Sequence, residues 1–182
     1  MGETILSIDL GTMGVKIALV NLDGIVEAVA YREYPIISEV PGQAEQNPTL
    51  WWNGLIDGMK KLKETYPELS KRVVAISLCG QMHTHVYLNR KGEPLGNALT
   101  WLDQRSATII EDWKLKGITD KLFEATWNAP TTTYTAPQVC WVRKNKKELF
   151  EKTRHILIAK DYIKYLLTKN MVTDPSDASG TA

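Results

Sequence analysis

Three short runs of apolar residues open the chain, Thr4–Leu10, Val15–Asn21 and Ile25–Arg32, each bounded by glycine-bearing turns. They predict three strands in a β-meander, with Asp23-Gly24 as the second turn. The period changes at Asn47-Pro48, where Asn can cap a helix and Pro fits its first position. Trp51, Leu55, Met59 and Leu62 follow at spacings of three and four, and Pro67 closes the pattern. Gly54 and Gly58 lie four apart on this helix, each costing about 1 kcal/mol against Ala, so a close neighbour is expected on that face. Val73–Cys79 is almost unbroken apolar sequence and predicts a strand buried on both faces, with Gly80-Gln81-Met82-His83 at its C-terminal end. A hairpin is expected next: Val86–Asn89, the turn Arg90-Lys91-Gly92-Glu93, then Ala98–Trp101. Helices are predicted over Ser106–Lys116, Asp120–Ala125, Ala136–Lys152 with a break in its basic middle, and Asp161–Leu167. Arg154–Ala159 reads as a strand, and the polar tail Thr173–Thr181 as lacking a closing element. Strands first, then strands alternating with helices, define an α/β chain with a mixed sheet and flanking helices.

The chain has 182 residues, enough for one sizeable domain or a domain with a partial neighbour. With 43% hydrophobic and 24% charged residues it can pack a core, which excludes a disordered chain. The 22 basic residues against 21 acidic ones leave no field to attract nucleic acid or an anionic membrane. No apolar run approaches the roughly 20 residues of a membrane span, and the N-terminus lacks a signal-peptide pattern, so a cytoplasmic protein is expected. Cys79 and Cys140 stand far apart in apolar surroundings without a CxxC partner and read as small core residues. Arg143–Lys147 reads as a solvated helix junction.

Ile8-Asp9-Leu10-Gly11-Thr12-Met13-Gly14-Val15-Lys16 puts an aspartate at the end of the first strand, small residues in a tight turn and a lysine on the returning strand. That combination suits a phosphate. Turn N–H groups and the Thr12 hydroxyl can donate at Gly11 and Thr12, Lys16 supplies charge, and Asp9 can hold Mg²⁺ through water. It is neither a Walker A loop nor a Rossmann fingerprint. A hairpin turn without function is the plain alternative. His83, just past a buried strand, carries a donor and an acceptor nitrogen with which to read a polyol, against the alternative of a capping or core histidine. His85 is a weaker candidate two residues on. Trp101 offers an aromatic face beside Asp103, whose acid can serve hydroxyls or form a structural pair with Arg105.

The opening turn resembles the first phosphate-binding element of the actin/Hsp70/sugar-kinase superfamily, whose ribonuclease-H-like core begins with such a meander. Gly80-Gln81-Met82-His83, Leu99–Arg105, Thr135–Trp141, and Lys160-Asp161-Tyr162 through Ser176–Thr181 resemble successive stretches of the FGGY carbohydrate kinases, and Gln-Met-His is the xylulokinase-like form. The resemblance implies an ATP-dependent kinase for a ketose or polyol, with ATP and Mg²⁺ as cofactors. It implies that Gln81, Met82, His83, Trp101 and Asp103 bind the sugar, Gly11, Thr12 and Lys16 the phosphates, and Asp9 the metal. It further implies that Thr131–Thr135 borders the pocket and that Asp161 and Asp177 shape the fold. No catalytic residue is expected within the chain, because the family's general-base aspartate and its ATP-binding lobe come beyond Ala182, where this sequence stops. Residues 1–182 therefore read as an incomplete N-terminal sugar-binding domain, inactive alone, whose partners are a sugar, a nucleotide, the missing C-terminal lobe and a second copy. Thr84 stands where the xylulokinase pattern has glycine, which leaves the particular sugar open. The alternatives are a kinase for another pentose, hexose or polyol, a non-catalytic sugar-binding or regulatory module, and a mechanical ATPase of the superfamily.

Overall fold

A computed structural model describes residues 2–181; Met1 and Ala182 lie outside the described residues. The chain forms two compact units, one from the residues up to Pro35 together with Thr49–Gln81, the other from Ile36–Pro48 together with the residues from Met82 onward.

The first unit is built on a four-stranded mixed sheet. Strands β1 (Thr4–Leu10), β2 (Gly14–Asn21) and β3 (Val26–Glu33) form the expected antiparallel meander. Strand β5 (Val73–Gly80) pairs parallel with β1, giving the order β3-β2-β1-β5. Alternation does the sorting. Thr4, Leu6, Ile8 and Leu10 are buried while Asp9 is exposed, as period-2 side chains require. Helix α1 (Pro48–Thr65) buries Trp51, Leu55 and Leu62. Its glycines are explained by contact: a Cβ on Gly54 would lie 3.2 Å from Val15 Cγ1, and one on Gly58 would collide with the Ile17 side chain. Pro67 ends the helical pattern of α1 and opens the short helix α2 (Pro67–Ser70).

Strand β5 corrects the sequence reading. It exists and runs parallel to β1, but it is an edge strand, not one buried on both faces, with Val74 57% and Ile76 51% exposed. An apolar run reports what a strand is able to bury; the described residues place only β1 beside it. Ile76 shares an apolar groove of about 580 Å³ with Leu6, Leu19, Ile56, Met59 and Val73. Cys79 is exposed on the same strand and Cys140 half-buried, so neither is the core residue expected.

The second unit adds strands β4 (Glu45–Gln46), β6 (His85–Leu88), β7 (Ala98–Leu99) and β8 (His155–Ile158). They form a second sheet, antiparallel throughout, in the order β4-β7-β6-β8. The two residues of β4 are too few to carry a readable pattern, and no strand is expected there from sequence. Tyr87, Leu99 and Val142 are buried against Val139, Trp141, Leu149 and Phe150. The helices are α3 (Ala107–Leu115), α4 (Ile118–Thr126), α5 (Thr135–Asn145), α6 (Lys147–Lys152) and α7 (Ala159–Thr168). The tail does not lack a closing element: Pro175–Ser179 forms α8, with Asp174 accepting the Asp177 N–H as its N-cap. An N-cap acid followed by Pro at the first helical position is a legible helix start. No helix among the described residues is long and apolar enough to cross a membrane.

An eight-residue edge strand with neither charge nor proline is a template for pairing with another copy. Sedimentation velocity of the 182-residue chain at micromolar concentrations is expected to show concentration-dependent association that Ile76→Lys suppresses. A monomer throughout that range would refute this.

Candidate functional site

In the first unit the β1–β2 turn is held from several sides. The Gly11 N–H donates to the Gly14 carbonyl (3.0 Å), and the Gly11 carbonyl accepts from the Tyr34 hydroxyl at 2.5 Å. Burial, reinforced by Tyr31 and Asp9, pushes the Tyr34 phenol up, so it remains a protonated donor. A Cβ on Gly14 would sit 2.5 Å from the Arg32 carbonyl oxygen, so a side chain there would force β2 and β3 apart. Gln81 follows β5, is buried, and directs its amide nitrogen to the Gly11 carbonyl (3.4 Å) while its N–H donates to Leu10 (2.8 Å). This corrects the expectation that it reads sugar: its amide is committed to the turn.

Asp9 lies opposite Lys16 on β2 and Cys79 on β5. Cross-strand partners share a face, so Asp9 sits between Lys16 and Cys79 in the register of that face. The Cys79 sulfur is 3.6 Å from Asp9 Oδ1, and burial together with the Asp9 charge raises the thiol pKa. Asp9 and Lys16 are exposed, which fits an acid serving a hydrated cation and a base serving phosphate oxygens. Gly11 and Thr12 occupy the turn between them.

In the second unit Met82 is 43% exposed and His83 half-buried, its backbone left-handed at φ 63°. Besides the bond from His85 described below, three contacts fix His83. Its Nδ1 lies 2.8 Å from the Gly180 carbonyl oxygen, its own carbonyl accepts from the Thr135 hydroxyl (3.2 Å), and its ring packs on Tyr134 at 4.9 Å. A carbonyl can only accept, so Nδ1 carries the hydrogen, and in the neutral imidazole Nε2 is then the acceptor. His85 is fully buried and structural: its Nδ1–H donates to the His83 carbonyl (2.9 Å) and its Nε2 accepts from the Tyr87 hydroxyl (2.9 Å). Burial lowers its pKa to about 4.

Trp101 follows β7 by two residues and is 38% exposed, with its N–H bonded to the Thr84 hydroxyl at 3.1 Å. Asp103 has the opposite character. It is 1% exposed, its Oδ2 accepts from the Ala44 N–H (3.0 Å), its Oδ1 from the Arg105 N–H (3.0 Å), and the Arg105 guanidinium takes both oxygens. The structural pair is therefore what forms, and the expectation of a sugar-reading acid is corrected, because its lone pairs are already engaged. Arg105 continues to Glu45 (2.6 Å) and stacks over Trp141 at 4.3 Å, while Lys146 reaches the same Glu45 oxygen at 2.8 Å. Burial works against ionising Glu45, but Lys146 and Arg105 outweigh it and hold its pKa below the ordinary carboxylate value. Thr132 and Thr135, within the segment expected to border the pocket, bond Gln104 and His83. Tyr134 lies within the Thr131–Thr135 segment expected to border the pocket, and Lys160 and Gly180 lie within stretches that carry the family resemblance, but none of the three is singled out as a site residue by the sequence. The general base, expected beyond Ala182, falls outside the described residues, and Ala182 itself does too.

A three-strand meander joined by a parallel fourth strand, with helices against the sheet, defines a sugar kinase-like α/β fold of the actin/Hsp70/ribonuclease-H-like superfamily. The chain belongs to the FGGY family of carbohydrate kinases, whose N-terminal domain matches residues 4–182. It is 37% identical over 177 residues to a xylulose kinase of Bacillus subtilis, covering 97% of this chain and 35% of that protein. A ligand-bound xylulose kinase and a gluconate kinase, both from Lactobacillus acidophilus, each superpose with a TM-score of 0.92 at 28% identity, over 98% of this chain and 36% of theirs. The chain thus spans about a third of the length of the relatives it matches.

The buried His85 sets a pH dependence. Its folded-state pKa is below the unfolded one, so as pH falls from about 6.5 to 4 the unfolded state takes up a proton that the folded state refuses. Urea unfolding is expected to show up to roughly 3 kcal/mol of stability lost across that window, and His85→Gln to flatten the slope by nearly one proton.

Proposed function

We propose that this chain is the sugar-binding N-terminal portion of an ATP-dependent kinase that phosphorylates a ketose or polyol of the xylulose class. The observation that carries the reading is His83, an immobilised histidine with an acceptor nitrogen, next to the exposed Met82 and in the same unit as the half-exposed Trp101. In this reading Met82 and Trp101 give apolar surface to the sugar's C–H faces and His83 Nε2 accepts from a hydroxyl. Asp103 and Gln81 act from behind, the first bracing the loop after Trp101, the second bracing the Gly11 turn.

The first unit supplies the phosphate side. Gly11, Thr12 and Lys16 would hold phosphate oxygens of ATP, and the exposed Asp9 would organise Mg²⁺ through water. MgATP, when bound, supplies the phosphoryl group and the charge neutralisation its transfer needs. The proposal assigns no general base within these residues and treats residues 1–182 as one functional N-terminal portion, completed by a C-terminal lobe that follows Ala182. The xylulose class is favoured because the relatives named xylulose kinase match nearly the whole chain, and by Gln81-Met82-His83.

His83→Ala is expected to weaken D-xylulose binding about 5- to 150-fold without unfolding the chain, and Asp9→Asn to leave that affinity within twofold. Calorimetric or NMR titration checks both; normal sugar binding by His83→Ala would move the assignment to Trp101. In a coupled assay with MgATP and a ketose and polyol panel, the 182-residue chain alone is expected to give no turnover. Rates on the order of 1 to 1000 per second would mean that these residues contain the base.

A further inference from the structure

His83 is bonded to a segment that an ion cluster anchors from the far side. Lys160 Nζ lies among three carboxylates, 2.9 Å from Asp161, 2.6 Å from Asp174 and 2.8 Å from Asp177. Those three acids converge closely enough to hold a metal ion, but the ammonium already occupies the position between them. Burial opposes the charge on Lys160, yet its bonds to Asp174, Asp177 and Asp161 outweigh that and raise its pKa above the ordinary lysine value. The cluster joins α7, which bears Lys160 and Asp161, to α8, which begins at the Asp174 cap and contains Asp177. The next residue after α8 is Gly180, whose carbonyl receives His83 Nδ1–H. Thr181 then accepts the Ala136 N–H at 2.8 Å, closing the segment onto α5 beside Thr135 and Tyr134, which grip His83 from the other side.

We infer that Gly180, held in place by Lys160 and its three aspartates, is a positioning residue that locks His83 as the Nδ1–H tautomer, so that Nε2 selects a ligand hydroxyl able to donate. The glycine is required for its smallness and not for its backbone. Its φ of −85° suits any residue, but a Cβ there would come 3.0 Å from His83 Cε1 and 3.3 Å from Met82 Cε, displacing both side chains. The tautomer decides the chemistry. With Nδ1–H spent on the carbonyl, Nε2 offers a lone pair, which welcomes an O–H and repels a carboxylate. This inference rests on the sugar-binding role given to His83 above.

Only three histidines are present, so long-range ¹H–¹⁵N correlation spectra of the labelled 182-residue chain resolve each ring. His83 is expected to show a protonated Nδ1 and an unprotonated Nε2, with Nε2 shifting as D-xylulose is added. Gly180→Ala is expected to move His83 into a mixture of tautomers and to weaken D-xylulose binding about 5- to 10-fold, while His85 keeps its pattern as the internal control. Lys160→Met should do the same and Lys160→Arg should restore the single tautomer, which keeps the inference open to test if Gly180→Ala fails to fold. Protonated Nε2 in the unsubstituted chain, or an unchanged His83 in Gly180→Ala and Lys160→Met with His85 intact, would overturn it. If His83 responds to both substitutions but not to D-xylulose, the positioning stands and the sugar-binding reading falls.

Discussion

The parallel pairing of β1 with β5 is the constraint on which the first unit depends. Because the two strands run in the same direction, with Leu10 opposite Gly80, both release their chains at the same edge of the sheet. One exit is the Gly11–Gly14 turn and the other is Gln81-Met82-His83. The C-terminal edge of parallel strands is where open α/β sheets accept ligands, since the backbone there is fixed by the ladder while the following side chains are free to vary. Gln81 ties the two exits together by bonding to both Leu10 and Gly11. Within the first unit the glycine turn and Gln81 thus share one edge of the sheet.

Behind the proposed sugar site the buried charges are paired. Asp103 and Glu45, both buried, are paired with the less buried Arg105 and Lys146, and Lys160 answers three acids. Removing one partner from such a network leaves its neighbours buried and unbalanced, which costs more than the pair itself contributes. Asp103 thereby fixes the chain at Ala44 and Arg105, and Lys160 fixes the start of α8 to α7. His83 bears a left-handed backbone that a non-glycine residue tolerates only when its surroundings over-determine it, and three independent contacts do so.

Family membership fits this division. Relatives that share the fold over essentially the whole chain include kinases named for xylulose and for gluconate, so the scaffold admits more than one sugar acid or ketose. In the proposed reading, discrimination between a hydroxyl and a carboxylate falls to individual donors and acceptors, among which the His83 tautomer is one. Thr84, whose hydroxyl engages the Trp101 backbone, shows how a departure from the family's pattern can be absorbed as a loop brace.

The sequence by itself determined the meander, the amphipathic helix with its two close-packed glycines, the parallel strand, and the turn and Gln81-Met82-His83 motifs, because these are written in short-range periodicity and in residues a few positions apart. Only tertiary structure decided which polar side chains remain available. Asp103 and Gln81 read as ligand contacts in sequence and are committed to Arg105, Ala44 and Gly11 in space. His85 sits two residues from His83, yet it is a core residue whose nitrogens are both bonded. Strand β5 looked doubly buried because apolar residues state a capacity for burial, while the neighbour that would use it is not a local property. Gly180 and Lys160 were invisible as parts of the site for the same reason: they lie 97 and 77 residues from His83 in the chain, and no local pattern reports a contact formed only when the ends of separate elements meet.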